Sequence, residues 1–174
     1  MNPVIKYIKL VLSILIGILV GACVTHHYYS TSFKPYSWTI GDAPIVLNCY
    51  GDDLSISKIK SAVKFWKKYG DSISFIEMNP SKSTCSNRTI DGFIILKEAK
   101  RGMLKGETLA RTETKISFMK IRAATIYFRP GSYNLEWLVE HELGHAFGYK
   151  HVNEKGNIMH PNIENQGGRY WIPD

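Results

Sequence analysis

Residues 141–151 read His-Glu-Leu-Gly-His-Ala-Phe-Gly-Tyr-Lys-His, and that spacing leaves the chain few ways to fold. Four residues on a helix turn through about 400°, so His141 and His145 share one face and can point at one ion. Glu142 stands beside them. Leu135, Leu138, Val139, Leu143 and Ala146 recur at helical spacing, and Asn134 is a candidate cap, so a long helix is expected from there to Gly148. Gly148 permits the left-handed turn that ends it. With that turn His151 comes back to the open side and completes a set of three nitrogens. Three protein donors with a fourth position left for water is the arrangement of a catalytic zinc, as opposed to a closed structural site. Taken singly, each histidine is as readily a core or surface residue. The short motif arises by chance in roughly one chain in a hundred of this length, the extended string in roughly a few in a hundred thousand.

Around this segment the pattern is that of an α/β domain. Pro44–Tyr50 reads as a first strand, followed by a turn at Gly51-Asp52-Asp53. Ser55 or Ser57 can cap a helix in which Ile56, Ile59, Val63 and Trp66 form an apolar face and lysines 58, 60, 64, 67 and 68 the wet one. Gly70 ends it. Strands are expected at Ser72–Met78, Gly92–Leu96 and Arg122–Phe128, with a polar loop over 79–91 and an edge strand over Glu107–Thr114. The order β-α-β-β-β-β-α argues for one sheet carrying two main helices. The chain shows no internal repeat and no second domain. Its 174 residues, 44% hydrophobic, are enough for one core without a metal or disulfide framework.

The N-terminus reads as an address. Lys6 and Lys9 precede an uncharged apolar run from Leu10 to Val24, the layout of an export signal over residues 1–22. The run is shorter than the ~20 residues a membrane-crossing helix needs. Val20-Gly21-Ala22-Cys23 resembles the lipobox of bacterial lipoproteins, so Cys23 is a candidate lipidation site; an uncleaved anchor is the other reading. Residues 23–43 read as a tether, and 44–174 as the functional domain. The expected location is outside the cytoplasm, at the membrane of a bacterial-type envelope. Net charge is +7, or +5 without Lys6 and Lys9. That modest, dispersed excess carries no aromatic-basic motif, so nucleic acid is not an expected partner. An exported chain meets oxidising conditions, which leaves Cys49 and Cys85 as a candidate disulfide or as two separate thiols.

Eight residues beyond His151 stands Met159, in Asn157-Ile158-Met159-His160-Pro161. Here the sequence resembles the metzincin metallopeptidases, whose zinc signature is followed by a methionine-bearing turn beneath the metal. Within them it is most similar to the matrixins, whose turn has a proline where Pro161 stands. Gly106–Thr112 (GETLART) looks like the matrixin edge strand beside the cleft. The resemblance covers roughly residues 43–165. It implies a mostly parallel, twisted metzincin sheet with an antiparallel edge strand. It also implies one Zn²⁺ held by His141, His145 and His151, Glu142 as general base, and a peptide substrate paired with Leu109, Ala110 and Arg111. The implied function is zinc-dependent endopeptidase action by a monomer; the rival reading is a membrane-tethered binding or adhesion module that uses the fold without turnover. Departures from the family also carry expectations. No histidine lies between His27 and His141, so a second, structural zinc is not expected. No aspartate lies between Asp91 and Asp174, so calcium is not expected.

Overall fold

The computed structural model describes residues 11–18, 33–38 and 43–173. Cys23, and with it the choice between lipid and anchor, lies outside them. Residues 11–18 are helical with exposed apolar side chains. Among the described residues no helix is long and apolar enough to cross a membrane.

Five strands form one sheet in the order β2-β1-β3-β5-β4. They are β1 (Ile45–Asn48), β2 (Ile76–Met78), β3 (Phe93–Glu98), β4 (Ala110–Ser117) and β5 (Lys120–Phe128). The pairs β1/β2, β1/β3 and β3/β5 are parallel, whereas β4 runs antiparallel to β5 from Ala110↔Phe128 to Ser117↔Lys120. The mostly parallel sheet with an antiparallel edge is therefore the observed architecture. Ile94, Ile95 and Leu96 of β3 are all buried, as a central parallel strand covered on both faces requires.

The main helices are α1 (Ile56–Lys67) and α3 (Leu138–Ala146), joined by a short α2 (Lys82–Ser86) inside the loop expected over 79–91. Ser55 caps α1, its side chain accepting from the Lys58 amide. Ile59, Ala62, Phe65 and Trp66 form the buried face of α1, and Trp66 Nε1 donates to the Glu140 carbonyl of α3 at 2.6 Å. That bond satisfies a buried indole while joining the helix pair.

Several boundaries differ from the sequence expectation by a residue or two, and three differ in ways that show a cause. The last helix begins at Leu138, not Leu135: a 3₁₀ turn occupies Ser132–Asn134, and Trp137, at φ +64°, takes the N-cap position. Leu135 is exposed, so the apolar spacing ran past the buried face. The edge strand starts three residues later than Glu107 and continues to Ser117. Arg129 holds the Gly106 and Thr108 carbonyls in a loop, and pairing with β5 begins only at Ala110. The strand expected from Ser72 is ordered as a strand only at Ile76–Met78, because Phe75 faces solvent at the sheet's margin. The β4–β5 turn places Phe118 (φ +49°) and Met119 (φ +62°) both in the left-handed region, at roughly 1–2 kcal/mol per residue for an L side chain.

Within the segment read as a tether, residues 33–38 form a strap along the domain. Phe33 and Trp38 pack on the core. The Phe33 carbonyl accepts from the Lys150 amide at 2.7 Å, the Ser37 carbonyl from Ile121 at 3.0 Å, and Trp38 Nε1 donates to the Ala146 carbonyl at 3.0 Å. Lys34 Nζ pairs with Asp71 at 2.6 Å.

Cys49, just past β1, is disulfide-bonded to Cys85 of α2 with Cα atoms 5.5 Å apart and a sequence separation of 36. Closing a loop of that length removes enough unfolded-state entropy to stabilise the domain by about 3–4 kcal/mol. The double substitution Cys49→Ser/Cys85→Ser is expected to lower the melting temperature by several degrees, measured by circular dichroism. An unchanged melting curve would show that the bridge contributes nothing.

Candidate metal centre and cleft

Helix α3 is buried along nearly its whole length, and the motif residues inherit that burial: His141 and Glu142 are buried, His145 partly so. The chain leaves the helix through Phe147 and reverses at Gly148, φ +101°. A side chain at 148 would meet the Tyr36 carbonyl oxygen of the strap at 2.2 Å, so both conformation and space demand glycine. The reversal carries His151 back to its partners. His145 Nε2 lies 3.1 Å from His141 Nε2 and 3.0 Å from His151 Nε2.

Hydrogen bonding on the far side of two rings decides what those nitrogens are. His141 Nδ1 is 2.8 Å from the Ile158 carbonyl and His145 Nδ1 is 2.8 Å from the Tyr149 carbonyl. A carbonyl only accepts, so each Nδ1 carries the proton and each Nε2 is a bare lone pair. Gln166 Nε2, also 2.9 Å from His141 Nδ1, donates to the His160 carbonyl at 3.0 Å. Lone pairs converging at about hydrogen-bond distance repel one another unless a cation lies among them. The set therefore fits a divalent ion, and three imidazole nitrogens suit zinc. Backbone carbonyls that fix the tautomer of a ligating histidine are the usual support for such an ion.

Beneath the histidines runs the turn Asn157-Ile158-Met159, all three buried. The Asn157 side chain accepts from the Met159 amide at 3.0 Å and donates to the Trp171 carbonyl at 2.8 Å, which pins the turn from within. Gly144 lies directly over it. A Cβ at 144 would approach Met159 Sδ and Trp66 Cζ2 to 2.4 Å each. Gly144→Ala is accordingly expected to cost at least about 1–3 kcal/mol through overpacking, read from chemical denaturation, and to weaken metal retention because the floor must shift. A variant as stable as the parent would mean that helix and floor separate freely.

Burial also sets the charge states. Removal from water, together with the neighbouring imidazoles, holds His141 down at about 3, and burial holds His145 at about 4; His151 is lowered as well. Burial pushes Glu142 up to about 7, against the lowering effect of a hydrogen bond from Thr112. These values belong to the metal-free protein. As pH falls below the ordinary histidine value near 6.5, the unfolded chain takes up protons that folded His141 and His145 refuse, so stability is lost down to about pH 3. Glu142 acts with the opposite sign: its folded pKa is raised, so its contribution is lost as pH rises from about 4.5 to about 7. Burial raises Glu140 as well, so three lowered histidines oppose two raised carboxyls, and the metal-free domain is expected to be more stable near pH 6.5 than near pH 4. Melting temperatures of chelator-treated protein across that range check the sign.

The site opens into a cleft of about 1150 Å³ between β4 and the segment after Met159. Ala110 and Arg111 line it on the strand side and Pro161 and Ile163 on the other. Leu109 also lines it, but lies just before β4 with its carbonyl already accepting from Arg129 N and Ser132 Oγ at 2.8 Å each. His160 stays outside the triad, its Nδ1 accepting from the Asn162 amide. Two contributions escaped sequence reading. Thr112 Oγ1 donates to Glu142 Oε2 at 2.6 Å, and Pro35 and Tyr36 of the strap also line the cleft. Thr112 sits in the expected edge strand, yet nothing in spacing tied it to a helix 30 residues later.

A three-nitrogen centre with a neighbouring buried carboxyl, set under an edge strand of a mostly parallel sheet, defines a metzincin-type metallopeptidase site. The matrixin family model (peptidase M10) matches residues 37–172, and the chain belongs to that family. No curated protein matches it.

Proposed function

We propose that the protein is a zinc endopeptidase that hydrolyses extended polypeptides outside the cytoplasm while held at a membrane by its N-terminus. The observation that carries the hydrolytic reading is the convergence of unprotonated Nε2 atoms beside a carboxyl buried and aimed by Thr112. His141, His145 and His151 would hold a single zinc ion, which supplies Lewis acidity toward the scissile carbonyl and toward water. Glu142 accepts the water's proton and hands it to the departing amine. Thr112 donates to Oε2, which leaves Oε1 for that proton and keeps the carboxyl from turning away. The strand β4 ends the sheet, so its outer edge can pair with a substrate backbone at Ala110 and Arg111. Pro161 and Ile163 would face the same peptide from below. A retained and positioned Glu142 is what weighs against a binding module without turnover.

Metal analysis joined to a peptide-library digest tests this reading. One zinc per chain and cleavage abolished by chelator are expected. A zinc-loaded protein that cleaves nothing in the library would favour the binding module instead. The remainder of the proposal is an exported monomer, held by Cys23-linked lipid or by an uncleaved anchor. Globomycin sensitivity of processing distinguishes those two attachments.

A further inference from the structure

The tip of the β4–β5 hairpin carries the domain's most exposed large apolar side chains: Phe118 is 98% exposed and Met119 65%, with Ile116 exposed beside them. Both tip residues hold left-handed backbone, where asparagine or glycine sits without strain. The fold gains no packing from Phe118 in return. Below the tip lies a basic collar. Lys115 and Arg122 share Asp91, at 2.8 and 3.8 Å, whereas among the described residues Lys120 Nζ meets the Ser37 hydroxyl, at 3.2 Å, and no carboxylate.

We propose that this hairpin is a membrane contact, with Phe118 and Met119 entering the interfacial layer of an anionic bilayer while Lys115 and Lys120 meet lipid phosphates. Three observations choose lipid over a protein partner. A two-residue tip offers far less area than the ~1,000 Å² a specific protein interface needs, while an aromatic and a methionine above lysines suit a headgroup layer that needs no matching pocket. The strap bridges Lys120 through Ser37, so the segment leading from the N-terminus lies against the base of this hairpin. Residues 19–32 separate the strap from the helical 11–18, whose Val11, Leu12, Ile14, Leu15, Ile16 and Ile18 are exposed. Fourteen residues span at most about 50 Å, which keeps the hairpin within reach of whatever surface receives that apolar stretch. The inference stands apart from the hydrolytic chemistry and from the form of the N-terminal attachment.

The test uses the full chain in a Cys23→Ser background with an environment-sensitive fluorophore at Met119→Cys. The comparison label is at Lys100→Cys, just past the end of β3; because β3 and β5 are parallel and β5 starts at the hairpin, Lys100 marks the opposite end of the sheet. On vesicles of phosphatidylcholine with a third phosphatidylglycerol, the label at 119 is expected to brighten several-fold, to be quenched by lipid-borne spin labels, and to lose the gain when the anionic lipid is omitted. The label at 100 is expected to stay dark. Three results would overturn the proposal: protein bound to vesicles with a water-exposed 119, equal responses at both positions, or brightening at 119 on adding casein without vesicles. The last would assign the hairpin to polypeptide.

Discussion

Glu142→Gln is expected to keep one zinc per chain and to lower kcat for peptide cleavage by at least about a hundredfold, the smaller end of what a positioned general base contributes. The amide can still accept the Thr112 hydrogen bond now made to Oε2 at 2.6 Å, so the side chain is expected to stay in place. What it cannot do is take a proton. The three imidazoles are untouched, and the Ile158 and Tyr149 carbonyls still hold His141 and His145 in place. Elemental analysis and kinetics on the same preparation therefore separate loss of chemistry from loss of metal, and KM is expected to change little. Cleavage at the parent rate by metal-loaded Glu142→Gln protein would remove Glu142 from its role.

His145→Ala is expected to abolish both metal and activity. His145 is the middle of the trio, its Nε2 within about 3 Å of each neighbour, and its loss leaves only His141 and His151 to grip an ion. Zinc added to the parent protein is expected to raise the melting temperature, because an ion that binds only the folded state stabilises it by mass action. In His145→Ala that rise should vanish. A variant that still holds stoichiometric zinc would show that the ion is gripped elsewhere.

The metal centre was legible because its rules are local. A four-residue helical return and one glycine turn specify where three rings go, whatever the rest of the chain does. The sheet was legible in kind, since runs such as Phe-Ile-Ile-Leu at 93–96 suit only strands buried on both faces. Where boundaries slipped, tertiary contacts decided them. Arg129 captures the Gly106 and Thr108 carbonyls and delays β4, and a residue 21 positions away leaves no periodic trace. Trp137 in left-handed backbone delays the helix despite apolar Leu135. The strap looked like a tether because Phe33, Lys34 and Trp38, which hold it to the domain, follow no periodicity, and its other bonds use main-chain carbonyls that every residue has. At Gly144 spacing carries no signal, although Met159 and Trp66 leave it no room for even a methyl group.

The strap has a geometric consequence for whatever the cleft encounters. Pro35 and Tyr36 line the cleft, and the same few residues are the domain's connection to everything upstream. The groove's mouth is thereby registered to the place where the upstream chain enters the domain. In the proposed membrane-held peptidase, the length of residues 19–32 would set how far from its support the cleft can reach, and so which stretch of a substrate it meets.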